Sequence, residues 1–347
     1  MTVPGARVTP TVWRPDILGG FSRTDIPLLP GTLVAGEPDT PIGGVLVRRD
    51  PERPVPASAY FPSAHPLSAR RYAGRPAVLY LHGWNDYFFQ THLADFWAGL
   101  GYDFYAVDLR RYGRALRPGQ YFGYTTDLGD YAREIDGALA LIRSAGHERL
   151  VLMGHSTGGL TGALYAHDHP GVFDAVVLNS PWLELSGNPV LRQVLSRLVT
   201  GAARMAPTTV LPITDPGCYR RTILASEGGE WDFDTTWKRL SAPIRLGWGR
   251  AIVRGHERVA AGLDIAAPVI VLCSDHSVTT QTWTDEMRRA DTVLDADGIA
   301  RRAPCLGRHV TVVRIRDGLH DLTLSPAPVR AEFFRAVGTW VAAYCGL

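Results

Sequence analysis

The 347-residue chain is 46% hydrophobic and 20% charged, enough apolar material for one large core or for a core with a sizeable insertion. A formal charge of +2 gives no electrostatic footprint for nucleic acid, and no run of like charges forms a tail. No stretch of about 18 apolar residues offers a membrane span, and Met1–Pro15 has no apolar signal-peptide segment.

Residues 1–75 read as strands and loops. Ile17–Leu28 and Gly43–Arg49 suit antiparallel edge strands, and the five prolines from Pro51 to Pro66 mark a surface loop. From about residue 76 strands and helices alternate. Ala77–Leu81 is a short apolar run that stops at His82-Gly83, and Asp103–Val107 stops at Asp108. Leu128, Tyr131, Ile135, Leu139 and Ile142 then repeat at helical spacing. Leu150–Met153 ends at Gly154, and the small, apolar Gly158–His167 suits a helix packed tightly on a sheet. Ala175–Leu178, Val269–Cys273 and His309–Ile315 are three more apolar runs. A last helix carries Val329, Phe333, Val337, Trp340 and Tyr344. Short continuous apolar runs bounded by turn residues predict strands buried on both faces of a parallel sheet. The alternation predicts a doubly wound α/β fold.

One stretch breaks the pattern. Residues 181–267 hold no clear strand but contain the amphipathic fragments Val190–Met205 and Trp237–Ala261. The expected organisation is a core of residues 1–180 and 268–347 with a helical insertion, 181–267, over one end of the sheet. The four cysteines, Cys218, Cys273, Cys305 and Cys345, show no CxxC spacing, so disulfides and zinc are not expected and a reducing, cytoplasmic compartment fits. His167-Asp168-His169 lacks a partner motif for a metal. Neither a cofactor nor a metal is called for.

Three segments carry chemistry. Gly154-His155-Ser156-Thr157-Gly158 fits G-x-S-x-G between a strand and a helix. A serine thrust out at so sharp a turn tolerates only small residues two positions either side. The helix that follows aims backbone N–H groups at developing negative charge. Leu81-His82-Gly83-Trp84 ends an earlier strand. In such an arrangement the N–H groups of Trp84 and Thr157 form the oxyanion hole. Gly318-Leu319-His320-Asp321 follows the last strand, and a neutral imidazole at His320 suits the base that takes a proton from Ser156.

With these residues in place, the chain resembles the α/β-hydrolase superfamily, and within it the serine aminopeptidase S33 or monoacylglycerol lipase (lysophospholipase)-like group. The resemblance runs from about Ala77 to the C-terminus and includes Asp108 with Gly113 after the second core strand. It implies the order Ser, acid, His, so the acid falls between residues 156 and 320. Asp275 follows a strand directly, the usual place. Asp291, in Asp291-Thr292-Val293-Leu294-Asp295, matches the family's Asp-x-apolar-apolar-Asp segment and is followed by a helix candidate, Gly298–Leu306, and the final strand. The catalytic set favoured is Ser156, Asp291 and His320. This makes His276–Ala290 an insertion, and Asp295 a weaker third candidate.

The resemblance also implies that 181–267 is a cap building a substrate pocket. Its Trp182, Trp231, Trp237 and Trp248 favour an apolar ester, or serve only to glue cap to core. Tyr87-Phe88-Phe89 either line that pocket or open the next helix as core. Arg110, Arg111, Arg114 and Arg117 are read as a solvated loop, with an anionic head group as the alternative. The expected activity is hydrolysis of a small-molecule carboxylic ester through an acyl-enzyme. Acyl transfer, small-peptide or amide cleavage, and non-catalytic binding on the same fold are the alternatives.

Overall fold

The apolar runs assemble into one nine-stranded sheet. This computed structural model describes residues 11–27, 34–56, 74–185, 189–213 and 215–345. Its strands are β1 (Arg14–Pro15), β2 (Phe21–Pro27), β3 (Gly43–Arg49), β4 (Ala77–Leu81), β5 (Asp103–Asp108), β6 (Leu150–His155), β7 (Ala175–Asn179), β8 (Val269–Ser274) and β9 (Val310–Ile315). They lie in the order β1-β2-β3-β5-β4-β6-β7-β8-β9. Pairing is antiparallel from β1 through β3 to β5 and parallel from β5 onward. The two expected antiparallel strands are present as β2 and β3, but neither is an edge: each has a neighbour on both sides, and the sheet ends at the short β1. The fold is that of an α/β hydrolase. The proline-rich loop is described only to residue 56.

The helices are α1 (Thr91–Gly99), α2 (Ala132–Ser144), α3 (Thr157–Asp168), α4 (Pro189–Met205), α5 (Cys218–Ile223), α6 (Leu246–Ala261), α7 (Ala296–Arg302) and α8 (Ala327–Tyr344). Side chains alternate across a strand, so one apolar run feeds two cores. Leu79, Leu81, Leu152 and Leu178 pack with Ile135 of α2, Leu160 of α3 and Ile252 of α6. Val78, Tyr80, Met153 and Val177 pack on the other face with Phe96 of α1 and Phe333 of α8. This two-sided burial is why β4–β8 carry no polar alternation. β9 differs. It lies at the sheet edge, and its Val312 is 37% exposed.

Two further expectations are corrected. The fragment Trp237–Ala261 is helical only from Leu246; Pro243 has no N–H for a helix, and the stretch before Leu246 instead pairs with Val210 through an Arg245 bridge. The arginine loop is not solvated. Arg110 pairs with Glu134, Arg111 with Glu37, and Arg114, with no exposed side-chain surface, bridges Asp16 and Asp108 at 2.7 and 2.9 Å. These guanidiniums are taken up by carboxylates from the N-terminal segment, β5 and α2, so they do not form a head-group site. Only Arg117 is substantially exposed.

Candidate active site

Chain order reverses at β4, which pairs β5 on one side and β6 on the other. In open α/β sheets ligands bind beyond the carboxyl ends of the strands at such a point. Leu81 of β4 lies in register with Gly154 of β6, so the segments after them are neighbours. β6 ends at His155 and α3 begins at Thr157. Between them Ser156 sits at φ 54° and ψ −118°, a conformation rare for a non-glycine residue. The flanking glycines are a steric necessity. A Cβ on Gly154 would stand 2.7 Å from the Gly158 carbonyl oxygen, and one on Gly158 would run into the carbonyl oxygens of Leu81 and His82.

The structure brings Ser156, His320 and Asp291 together, all three buried. His320 Nδ1 lies 2.9 Å from Asp291 Oδ2, and its Nε2 lies 3.0 Å from Ser156 Oγ. A carboxylate only accepts, so Nδ1 carries the proton and Nε2 accepts from the serine hydroxyl. Asp291 Oδ1 accepts from the Val293 and Leu294 N–H groups, both at 2.8 Å, which fixes the carboxylate.

Asp291 reaches this place although it is remote from the end of β8. The chain leaves β8, loops out, and returns to pair locally with itself. Asp291 N donates to His276 O, and Val278 N donates to Asp291 O. The competing carboxylates are engaged elsewhere. Asp275 meets its neighbour His276 at 2.8 Å and accepts from Asp317 N. Asp295 faces Arg301, and Asp321 accepts from Asn179 and Thr323.

Trp84 and Thr157 both line the pocket beside Ser156. Among the described residues neither backbone N–H has a protein acceptor. His82 orients this loop. Its Nε2 accepts from Leu109 N at 3.1 Å, so its Nδ1–H donates to Gly83 O at 2.7 Å. Carbonyl and N–H of a trans peptide point to opposite sides, so holding Gly83 O sets the direction of the Trp84 N–H. A Cβ on Gly83 would lie 3.1 Å from Ser156 Cβ, which shows how closely the loop approaches the serine.

Helices α4–α6 and the segments between them lie between β7 and β8 in sequence, and this stretch lines much of a cavity of about 410 Å³. That volume lies in the range of small-molecule sites. The four tryptophans divide. Trp182 and Trp248 line the cavity, and Trp248 packs 4.0 Å from Trp84 between ring centroids. Trp231 and Trp237 are glue: Trp231 donates to Leu324 O and stacks on His92, while Trp237 packs edge-on against Tyr87. Tyr87, Phe88 and Phe89 are buried packing residues and precede α1.

His92 makes this junction pH-sensitive. Burial pushes its imidazole down to about 4. The unfolded chain therefore takes up this proton first as pH falls, and stability is lost between about 6.5 and about 4. The expected contribution is on the order of 3 kcal/mol. Urea midpoints at pH 7 and pH 5 should converge in His92→Gln and separate in the native chain.

Four residues at the site are given no role by the motifs. His155 packs 4.9 Å from the His320 ring, and burial holds it below the usual histidine range, hence neutral. Tyr219 from α5 stands edge-on to His320. Asp86 and Lys238 form a buried pair at 2.9 Å on the cavity wall. Composition held a signal for the last: Lys238 is the only lysine in the chain. Asp86, His155 and Asp321 place three metal-type donors within 4.8 Å, but Lys238, Asn179, Gln90 and Thr323 already bind the two carboxylates. Among the described residues no helix is long and apolar enough to cross a membrane.

The sequence profile of the family "serine aminopeptidase, S33" matches residues 73–322. A stretch of 110 residues is 34% identical to the AB hydrolase superfamily protein YisY of Bacillus subtilis (strain 168), covering 31% of this chain and only 38% of that relative. The fold is similar to that of the monoacylglycerol lipase of Paleococcus ferrophilus (TM-score 0.57, 21% identity, 79% of this chain and 98% of that one). It is also similar to a soluble variant of the Saccharomyces cerevisiae monoglyceride lipase in complex with a substrate analogue (TM-score 0.56, 16% identity, 99% of each chain).

Proposed function

This chain belongs to the serine aminopeptidase S33 family of α/β hydrolases, and from that premise we propose that it cleaves a carboxylic ester through an acyl-enzyme on Ser156. The observation that carries the reading is the unbroken relay from Asp291 Oδ2 through His320 to Ser156 Oγ, at 2.9 and 3.0 Å. In the first step His320 Nε2 takes the hydroxyl proton as Oγ attacks the ester carbonyl carbon. Asp291 keeps the ring in the required tautomer and stabilises the imidazolium. The carbonyl oxygen becomes an oxyanion, received by the Trp84 N–H of the loop after β4 and by the Thr157 N–H at the N-terminus of α3. His320 then returns the proton to the leaving alkoxide. Water, activated by the same ring, releases the acid and frees Ser156.

The apolar part of the substrate lies against Trp182, Trp248, Ile213 and Leu240 of the cavity. On this reading residues 181–267 are a cap that excludes water from the reacting bond. A hydrophobic acyl ester fits these walls best.

A fluorophosphonate probe tests the proposal. One equivalent should attach, and peptide mapping should find it on Ser156. A short nitrophenyl ester should give a burst of nitrophenol at enzyme stoichiometry if deacylation is the slower step. An unlabelled native protein would instead mark a non-catalytic binder of this fold.

A further inference from the structure

Building on the hydrolytic reading, we propose that the segment Asp234–Arg239 of the insertion is a positioning element for the oxyanion loop, and that Lys238 is its central residue. Three consecutive residues after Trp84 are each bound to this segment. The Asn85 side chain makes a two-way pair with the Arg239 backbone, donating to its carbonyl at 2.7 Å and accepting from its N–H at 2.9 Å. Lys238 Nζ donates to Asp86 Oδ1 at 2.9 Å. Asp234 N donates to the Tyr87 hydroxyl at 2.8 Å. Asn85 is itself at φ 52°, a conformation that asparagine tolerates and that external bonds must hold in place.

Lys238 is central because Asp86 depends on it. Asp86 is 1% exposed, and its Oδ2 has no hydrogen-bond partner among the described residues. Among the described residues the ammonium is thus the one counter-charge bound to this buried carboxylate. Asp86 also lies within 4.8 Å of donor atoms on Asp321 and His155, so without Lys238 two buried carboxylates would face each other. Left ionised, such a carboxylate must draw in water or swing toward solvent, and either displaces the loop that begins at Trp84.

The choice of lysine supports this role. Every other Lys-or-Arg position in the chain is arginine. Here the charge sits between the rings of Phe89, Tyr219 and Phe233, 5.7–5.9 Å from each, and meets a single carboxylate oxygen. A compact ammonium suits that space, whereas a guanidinium fork would leave donors unpaired.

The oxyanion contact strengthens only in the transition state, so a displaced loop should lower kcat and spare KM. Steady-state assay of Lys238→Met on a nitrophenyl ester should show kcat down roughly 30-fold, a part of what deleting an oxyanion donor removes, with KM within about threefold. Asp86→Asn added to Lys238→Met replaces the ion pair by neutral groups of similar volume and should regain about tenfold in kcat. If Lys238→Met does not fold, the double variant carries the test and should turn over within about tenfold of the native enzyme.

The proposal is overturned if folded Lys238→Met keeps its kcat within about threefold or loses only KM, which would make Lys238 a substrate-binding residue. It is equally overturned if the folded double variant is no faster than Lys238→Met, or, where that single variant cannot be obtained, misses the tenfold window. Failure of the native protein to take the fluorophosphonate overturns the hydrolytic reading itself, and is scored before any variant is compared.

Discussion

Ser156→Ala is expected to slow ester turnover on the order of 10⁶-fold, the scale of losing an activated nucleophile. On this mechanism the Ser156 hydroxyl is the group that carries the acyl intermediate, since it is the one His320 Nε2 contacts. The backbone donors at Trp84 and Thr157 remain, so about 10³-fold acceleration over water should survive. The fold should survive as well. The Ser156 side chain makes no helix-capping bond, and alanine suffers no more than serine at φ 54°. A melting temperature within about 3 °C of the native value would show this. A folded variant that still turns over at above about 1% of the native rate would mean that the covalent route is wrong.

Asp291→Asn is the second large effect, a loss of about 10⁴-fold in kcat. The mechanism is tautomeric. An asparagine amide can donate toward His320 Nδ1, which would leave the ring proton on Nε2, unable to accept from Ser156. Asp275→Asn should stay within about threefold, because that carboxylate serves His276 and the Asp317 N–H rather than the base. Parallel kcat measurements on the two variants decide the assignment. Inactivity of Asp275→Asn alone would reverse it.

The contrast between those two aspartates also shows what is legible in a chain of letters. Ser156, His82-Gly83 and His320 stand at ends of apolar runs, and a buried parallel strand leaves that run as its trace. Asp291 was favoured over the strand-end Asp275 because the segment after it leads on to the last strand and His320. The local pairing through His276 and Val278 that sets its position leaves no periodic signal. Arg110, Arg111 and Arg114 depart from the expected solvated loop for a related reason, whereas Arg117 keeps to it. Charge usually means solvent, and their partners Asp16, Glu37 and Glu134 lie in other parts of the chain. Asp86 and Lys238 meet across about 150 residues, and no local rule couples them. The amphipathic pattern of 237–261 runs through Pro243, which a helix interior does not accept, so only its second part is helical.

The detour that carries the carboxylate has a consequence for how this protein can diversify. Its two feet are cross-tied at Ser277 and Asp291, while Thr279, Thr280 and Gln281 between them are exposed and line the cavity. A tether pinned at its base is expected to tolerate changes of length or composition at its crown with little shift of what hangs from the base. Natural drift, or a grafted peptide, has here a place to alter which molecules enter while the contacts of Asp291, His320 and Ser156 stay in place.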